Sequence, residues 1–163
     1  MGETVKGACR DASVPPPRIP SKECGLLVRK ALAKSMVGSD KLVAAIRAKV
    51  KSAGYLVGLD GRHLLCRSEH SALNTLLQGA GAVVMKKALA LFGEWLDAHW
   101  TAGTDYGLCG NIHDEVQMEV RPEVAEAFGQ KFAECIKDAG VSLGVRCPLS
   151  GAFDVGDNWA GTH

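Results

Sequence analysis

A charged tripeptide separates two strand-like runs in the stretch Gly107-Leu108-Cys109-Gly110-Asn111-Ile112-His113-Asp114-Glu115-Val116-Gln117-Met118-Glu119-Val120. After the tripeptide, apolar and polar residues alternate from Val116 to Val120, which is the period-two pattern of a half-buried strand. Before it, Leu108 and Ile112 provide the apolar positions, with glycine at 107 and 110. The stretch therefore predicts a β-hairpin that carries His-Asp-Glu at its turn.

Two adjacent carboxylates, Asp114 and Glu115, lie at this predicted turn. Held close together between apolar strands, they repel each other unless water solvates them or a cation neutralises them. Carboxylate oxygens are the ligands that Mg²⁺ prefers. The alternative is a solvated turn without a ligand, because short charged segments are common at turns. The residues by themselves leave both interpretations open.

The composition is that of an ordinary globular domain, with 163 residues of which 47% are hydrophobic and 23% charged. The net charge of +1 conceals an asymmetry. Residues 1–67 hold 13 Lys and Arg against 5 Asp and Glu, whereas residues 68–163 hold 6 against 13. A basic half beside an acidic half is consistent with a track for a polyanion that leads to a cation site, although solvated helix faces are the simpler explanation of each charge run.

The cysteines and the N-terminus indicate a cytosol-like compartment. Six cysteines are scattered without a CxxC pair, so the sequence predicts reduced thiols and neither a zinc site nor a disulfide framework. The N-terminus lacks the apolar core of a signal peptide. No run of apolar residues approaches the roughly 18 needed to cross a bilayer, so we expect no membrane span.

Proline and helix signals divide the chain into a lead segment and one domain. Residues 1–24 are polar and contain Pro15-Pro16-Pro17 and Pro20, which favours an extended or disordered segment. Apolar periodicity over residues 25–163 predicts four helices. Their predicted limits are Leu26 to Val37, Ser39 to Gly54, Ser68 to about Trp100, and Pro122 to Gly140. Short strands are predicted over residues 141–145 and 153–155. Within the long third helix, Gly79 and Gly81 predict a bend or a close approach of another backbone.

A second hairpin is predicted where Asp60-Gly61-Arg62 separates the apolar runs 55–59 and 63–66. Asp-Gly between such runs favours a tight turn in which both central residues have positive φ. Arg62 then lies beside the tip of the hairpin. It can contact a phosphate there, or it is a solvated turn arginine, which is the commoner case.

His70, Asn74 and Gln78 recur at fourfold spacing and predict one polar stripe along the long helix. All three side chains can donate a hydrogen bond to an acceptor, and every base pair presents acceptors in the minor groove. The stripe therefore suits contact with a duplex that does not depend on base sequence. A polar helix face in water explains the spacing equally well.

Taken together, several segments resemble the C-terminal part of family A DNA polymerases, most closely the phage replicative enzymes. The resemblance covers roughly residues 25–163 and depends on the order and spacing of its motifs. They are Gly58-Leu59-Asp60-Gly61-Arg62, His70-Ser71-Ala72-Leu73-Asn74-Thr75-Leu76-Leu77-Gln78 with Gly79-Ala80-Gly81-Ala82, His113-Asp114-Glu115, and the terminal Asn-Trp segment that ends in His163.

The resemblance implies an α+β fold: a partial polymerase palm, with long helices packed on a small antiparallel sheet and a His-Asp-Glu hairpin. It implies that Asp114 is one of the two metal-binding aspartates, that Glu115 supports the site, and that His113 lies near the primer end. It further implies that the stripe contacts a DNA primer-template. The implied substrates are deoxynucleoside triphosphates, and the implied cofactor is Mg²⁺ in a two-metal site that this chain supplies only in part.

Other family motifs are missing. The other catalytic aspartate and the fingers pattern Arg-x-x-x-Lys-x-x-x-x-x-x-Tyr-Gly are not found before Leu26. We therefore expect about the last fifth to quarter of a polymerase, located in the cytoplasm of a bacterial or phage-infected cell, together with a second polypeptide that carries the remainder. The alternatives are a DNA-binding remnant without catalysis and an unfolded fragment with exposed sheet edges.

Overall fold

The computed structural model describes the backbone of residues 21–162 and the side chains from residue 24 onward. The chain forms two compact units, one ending at Ala48 and the other beginning at Lys49. Most of the lead segment predicted over residues 1–24 lies outside the described residues. Its last four residues belong to helix α1, Ser21–Ser35.

Helix α2, Ser39–Ala53, follows α1 after a short turn in which Gly38 has φ +90°. The helix was predicted to begin after Ser39 with this serine as its N-cap, but Ser39 is its first residue and the Ser39 hydroxyl donates to the carbonyl of Ala33 at 3.4 Å. Gly54, with φ +76°, ends the helix as predicted. A positive φ at this position is what glycine permits after the last helical turn.

Strands β1, Tyr55–Val57, and β2, His63–Leu65, form an antiparallel hairpin. Its loop runs over five residues, so the predicted tight turn with two positive φ values is wrong. Of the two central residues, only Gly61 has positive φ, +82°. The physical reason is local hydrogen bonding: the Asp60 carboxylate accepts the N–H of Arg62 at 3.3 Å, and the carbonyl of Arg62 accepts the N–H of Gly58 at 2.8 Å.

Helix α3, Ala72–His99, is the longest element, as predicted. It meets strand β2 at Gly79, where a β-carbon would lie 3.0 Å from Cδ1 of Leu64. Another segment therefore approaches closely at Gly79, but through the Leu64 side chain and not through its backbone as predicted. A β-carbon at Gly81 would meet nothing within 4 Å.

A second hairpin and helix α4 complete the second unit. Strands β3, Tyr106–Ile112, and β4, Glu115–Val120, pair antiparallel, with a bulge between Leu108 and Gly110. A 3₁₀ turn, Pro122–Val124, leads into α4, Ala125–Ser142. Since the described residues combine four helices with two antiparallel hairpins, the α+β class is confirmed.

The core lies where α3 packs on α4. Phe92 is fully buried, and its ring lies 6.0 Å from that of Phe128 in an edge-to-face arrangement, which aromatic pairs prefer. The β3–β4 hairpin covers this cluster through side chains that alternate along its strands. Those side chains are Tyr106, Met118 and Val120.

The two C-terminal strands predicted from residue 141 onward are absent from the described structure. Val141 and Ser142 belong to α4, and the chain leaves the helix at Gly144, with φ +67°. The N–H of Val145 bonds to the carbonyl of Gly140, and that of Gly144 to the carbonyl of Val141. This pair of bonds is the Schellman motif, which uses backbone groups that a strand would need.

The segment that follows the motif runs back along α4. Three glycines make close contact possible, because a β-carbon on each would clash with a side chain on the facing segment. The facing pairs are Gly129 with Phe153, Gly140 with Leu149, and Gly151 with Ile136. A second 3₁₀ turn, Trp159–Gly161, follows.

Among residues 21–162, α3 is the one helix long and apolar enough to cross a membrane by length and composition, with a mean hydropathy of 1.3 in its most apolar window. The same helix carries Ala88, Phe92 and Leu96 into the core. Core helices of proteins in water pass the same test, so the finding is weak support for a membrane span.

Candidate active site and nucleic-acid interface

The candidate active site is the tip of the β3–β4 hairpin. Ile112 pairs with Glu115, so His113 and Asp114 form a two-residue turn. His113 has φ +57°, which makes it the one non-glycine residue with positive φ among the described residues. A two-residue hairpin turn commonly requires such a conformation. The structure thus places Asp114 at the point where the chain reverses.

All three side chains of the tripeptide are exposed. The amide Nε2 of Gln117 donates to Oε1 of Glu115 at 2.7 Å. The two residues lie on the same face of β4, because side chains alternate between faces along a strand. Sequence reasoning did not single out Gln117, although its position two residues after Glu115 on the polar face was visible in the alternation.

The tip offers carboxylate oxygens from adjacent residues, which suits a hard cation such as Mg²⁺. No group of three or more His, Cys, Asp or Glu side chains gathers in metal-binding geometry anywhere in the described part of the chain. Asp114 and Glu115 could therefore hold a metal only together with ligands from elsewhere, such as water, substrate or another polypeptide.

An ion pair closes the other end of this hairpin. Nε of Arg121 lies 3.3 Å from Oδ1 of Asp105, and the backbone N–H of Arg121 donates to the backbone carbonyl of Asp105 at 3.2 Å. The second carboxylate oxygen accepts the N–H of Thr101 at 2.9 Å. Asp105 thereby ties the end of the α3–β3 connection to the end of β4, a role that the sequence did not signal.

Two residues of the predicted polar stripe lie on α3. Asn74 and Gln78 are exposed on its first turns. The prediction that His70 shares their helix is wrong, because the helix begins at Ala72 and His70 lies in the preceding turn. The hydroxyl of Ser68 accepts the N–H of Ser71 at 3.3 Å, and the residues between them form a turn that precedes the helix.

Arg62 lies in the loop between β1 and β2, and its guanidinium forms an ion pair with Asp60. Partial desolvation in the loop raises the pKa of Asp60. The hydrogen bonds that its carboxylate accepts from the Arg62 N–H and guanidinium, together with the positive charge of Arg62, have the larger combined effect and hold the pKa below its ordinary value. The arginine is thus already paired within its loop. Any phosphate that it contacts must compete with this carboxylate.

The sequence and fold match known proteins over most of the chain. The profile of DNA polymerase family A matches residues 34–161. The DNA-directed DNA polymerase of Escherichia phage Phieco32 is 38% identical over 120 residues, which are 68% of this chain and 19% of that protein. The DNA-directed DNA polymerase of Escherichia phage T7 is 32% identical over 142 residues, covering 83% of this chain and 20% of that protein.

A solved structure has the same fold. The POL domain of Pol1 from M. smegmatis, in complex with a DNA primer-template and dNTP, matches with a TM-score of 0.65 at 18% identity, over 98% of this chain and 30% of that one. The chain spans about one fifth of the length of the phage relatives. Since the family profile matches well over half of its residues, the chain belongs to DNA polymerase family A.

Proposed function

We propose that the chain is the C-terminal palm segment of a DNA-directed DNA polymerase and acts in DNA replication by template-directed nucleotidyl transfer. The observation that carries the proposal is the position of Asp114, exposed at the tip of a two-residue turn within the region that matches the family. A carboxylate at such a tip is accessible to a triphosphate and its metal ions. A carboxylate inside the core would not be.

Asp114 and Glu115 are the residues that would hold Mg²⁺. Their exposed oxygens fit a hard cation, and the Gln117 amide orients one of the two carboxylates. When bound, a pair of divalent ions stabilises charge on the attacking and leaving oxygens of the transferred phosphoryl group. His113, beside them in the turn, is the candidate contact to the primer end.

The proposed partners are a DNA primer-template and deoxynucleoside triphosphates. Exposed Asn74 and Gln78 on α3 would contact the duplex through minor-groove acceptors, with His70 in the preceding turn. Arg62 is a further candidate contact, to a phosphate. The structural relative bound to DNA primer-template and dNTP supports these partners as a class.

The rest of the enzyme would come from sequence outside these 163 residues. The phage relatives are matched along 19–20% of their length, which leaves the other metal-binding aspartate and the triphosphate clamp unaccounted for. Removing a single stabiliser of transition-state charge costs about 3–4 kcal/mol. We therefore propose that the isolated chain is inactive and that the assembled enzyme works in the cytoplasm of a bacterial or phage-infected cell.

A second candidate function is DNA binding without catalysis. It is favoured by the finding that residues 21–162 bring together no cluster of three metal-ligating side chains. In that case Asn74 and Gln78 would contact DNA, and the carboxylates at the hairpin tip would belong to a solvated turn without a metal ion.

Primer extension tests the two candidates. The chain is assayed alone and with the Phieco32 phage polymerase from which the matched C-terminal region has been deleted. We expect extension only in the mixture, and its loss with Asp114→Ala but not with Asp97→Ala, an exposed aspartate on α3. Extension that survives Asp114→Ala would remove the hairpin from the mechanism. No extension with any partner would favour the binding function.

A further inference from the structure

The β1–β2 hairpin has one covered and one open face. Leu56 is 5% exposed, and Leu64 packs against Gly79 of α3, so this pair forms the covered face. The register then places the neighbouring positions on the opposite face, because side chains alternate along a strand. The open face consists of Tyr55, Val57, His63 and Leu65.

This open face is apolar and aromatic although it meets water. Leu65 is 83% exposed and Val57 is 52% exposed. Beside them the rings of Tyr55 and His63 stack, with centroids 4.0 Å apart and planes 22° from parallel. These rings belong to diagonal neighbours across the hairpin, within reach of each other on one face.

Positive charge lies beside the stack. Nζ of Lys49, near the end of α2, lies 5.6 Å from the centroid of the Tyr55 ring. Lys51 and Arg67 flank the hairpin in the sequence and are exposed. No ion pair engages these three cations among the described residues, and the carboxylate of Asp60 in the hairpin loop pairs with Arg62.

We propose that the open face of the β1–β2 hairpin, with Lys49, Lys51 and Arg67, binds single-stranded DNA. Unpaired bases would stack on the Tyr55–His63 pair and contact Leu65, while the cations would pair with phosphates. Stacking platforms beside a positive surface are how proteins hold single strands without reading their sequence. The proposal deepens the proposed function and rests on it, since a polymerase template is single-stranded ahead of the primer end.

The charge selects nucleic acid over a protein partner. An apolar patch alone would suit another polypeptide, but Lys49 beside it, and Lys51 and Arg67 at the two ends of the hairpin in the sequence, would then lack counter-charges unless that polypeptide were acidic. Bases supply the aromatic surface and phosphates supply the charge in one ligand. Binding is therefore expected to weaken steeply with salt, because cation–phosphate contacts release counterions.

Fluorescence anisotropy with a labelled oligo-dT, in low salt without metal or nucleotide, tests the proposal on the full chain. Replacement of the exposed ring in His63→Ala should weaken binding about tenfold, the order expected for one stacked base. His63→Phe should restore it, because phenylalanine also stacks. The matched control is His99→Ala, an exposed histidine on α3 that lies against Trp95.

Equal affinity of the parent, His63→Ala and His63→Phe for oligo-dT would overturn the proposal. So would unchanged affinity in Leu65→Ser accompanied by a change from dimer to monomer in size-exclusion chromatography, since the face would then be a protein contact. The assay is independent of the proposed catalysis. Oligo-dT binding that depends on His63, together with no primer extension even in the mixture with the deleted phage polymerase, would reject the polymerase function and leave this surface in place.

Discussion

Gly129 of α4 lies directly against the ring of Phe153, and a β-carbon built on this glycine would overlap the ring at Cγ and Cδ2. A similar contact joins Gly140 to Leu149, about three turns further along the same helix. The C-terminal segment is therefore seated on a helix face from which side chains are missing. Because a packed interface tolerates little added volume, these glycines set how closely the segment approaches α4.

Replacement of Gly129 should destabilise the protein in spite of the higher helix propensity of alanine. In Gly129→Ala the Phe153 ring must move towards solvent, and we expect a loss of about 1–2 kcal/mol in the free energy of unfolding. Gly81→Ala is the matched control on α3, where the new methyl group meets nothing within 4 Å. It should stabilise by up to about 1 kcal/mol. Urea denaturation of both variants measures the change in the free energy of unfolding. Equal changes in the two variants would contradict the close contact between Gly129 and Phe153.

The carboxylate of Asp105 should contribute more to stability than its neighbour on the same arginine. It pairs with Arg121 at 3.3 Å and accepts the N–H of Thr101, with its side chain 18% exposed. Asp105→Ala should therefore cost about 1–2 kcal/mol. Glu123 lies 3.9 Å from the same guanidinium and is 64% exposed, so Glu123→Ala should cost less than about 0.5 kcal/mol. Thermal unfolding of the two variants measures the difference. Equal melting temperatures would show that the contacts of Asp105 with Arg121 and Thr101 do not stabilise the fold.

The elements whose apolar pattern continues over many residues were predictable from the sequence. Helix α3 and helix α4 carry apolar residues at helical spacing over many turns, and the strand from Val116 onward alternates with period two. The patterned apolar residues lie mainly on the face that the structure buries, although Leu77 of α3 is 60% exposed. The position of Asp114 at a chain reversal followed from the same alternation.

Features that depend on local hydrogen bonds or on distant contacts were not predictable. A Schellman motif at Gly144 replaced the expected strand, and a turn at Ser68 placed His70 outside the helix. The glycines that seat the C-terminal segment look, in sequence, the same as Gly81, which contacts nothing. Only the facing side chain distinguishes them. For the same reason the sequence could not reveal the exposed stack of Tyr55.

The thiol of Cys135 should make stability depend on alkaline pH. Burial raises the pKa of this thiol because desolvation penalises the thiolate. The positive charge of Lys131 lowers the pKa by a smaller amount, and the negative charges of Asp138 and Glu134 raise it slightly further. The folded state keeps the proton at pH values where the unfolded chain loses it. The resulting stability is complete below the ordinary thiol pKa of about 8.5 and is lost as pH rises through the raised value.

Alkylation with iodoacetamide at about pH 9, just above the ordinary thiol pKa, provides the measurement. Exposed Cys109 and Cys147 should be modified in the native protein, and buried Cys135 only after denaturant is added. Mass spectrometry identifies the sites. Equal labelling of Cys135 and Cys147 in the native protein would show that this part of the core opens readily.

Replacement of Gln78 by alanine should weaken binding to a primer-template duplex without changing the preference for base sequence. The reason is that acceptors common to all base pairs are the expected partners of its amide. A single hydrogen bond predicts a weakening of about two- to tenfold. Gln130→Ala, which alters an exposed glutamine on α4, is the control and should bind as the parent does. Equal affinities of the two variants for the duplex, measured in low salt, would argue against contact at α3.

Removal of one carboxylate should abolish the weak metal binding of the isolated chain. Asp114 and Glu115 supply too few oxygens to displace the tightly held water of Mg²⁺, so the parent should bind Mg²⁺ or Mn²⁺ only weakly. In Asp114→Asn the amide lacks the charge that attracts the ion, and the residual binding should disappear in a calorimetric titration. Asp97→Asn keeps the hairpin tip and should titrate like the parent. If Asp114→Asn also bound the metal like the parent, the ion would have to occupy another site, and the proposed role of the hairpin in catalysis would lose its support.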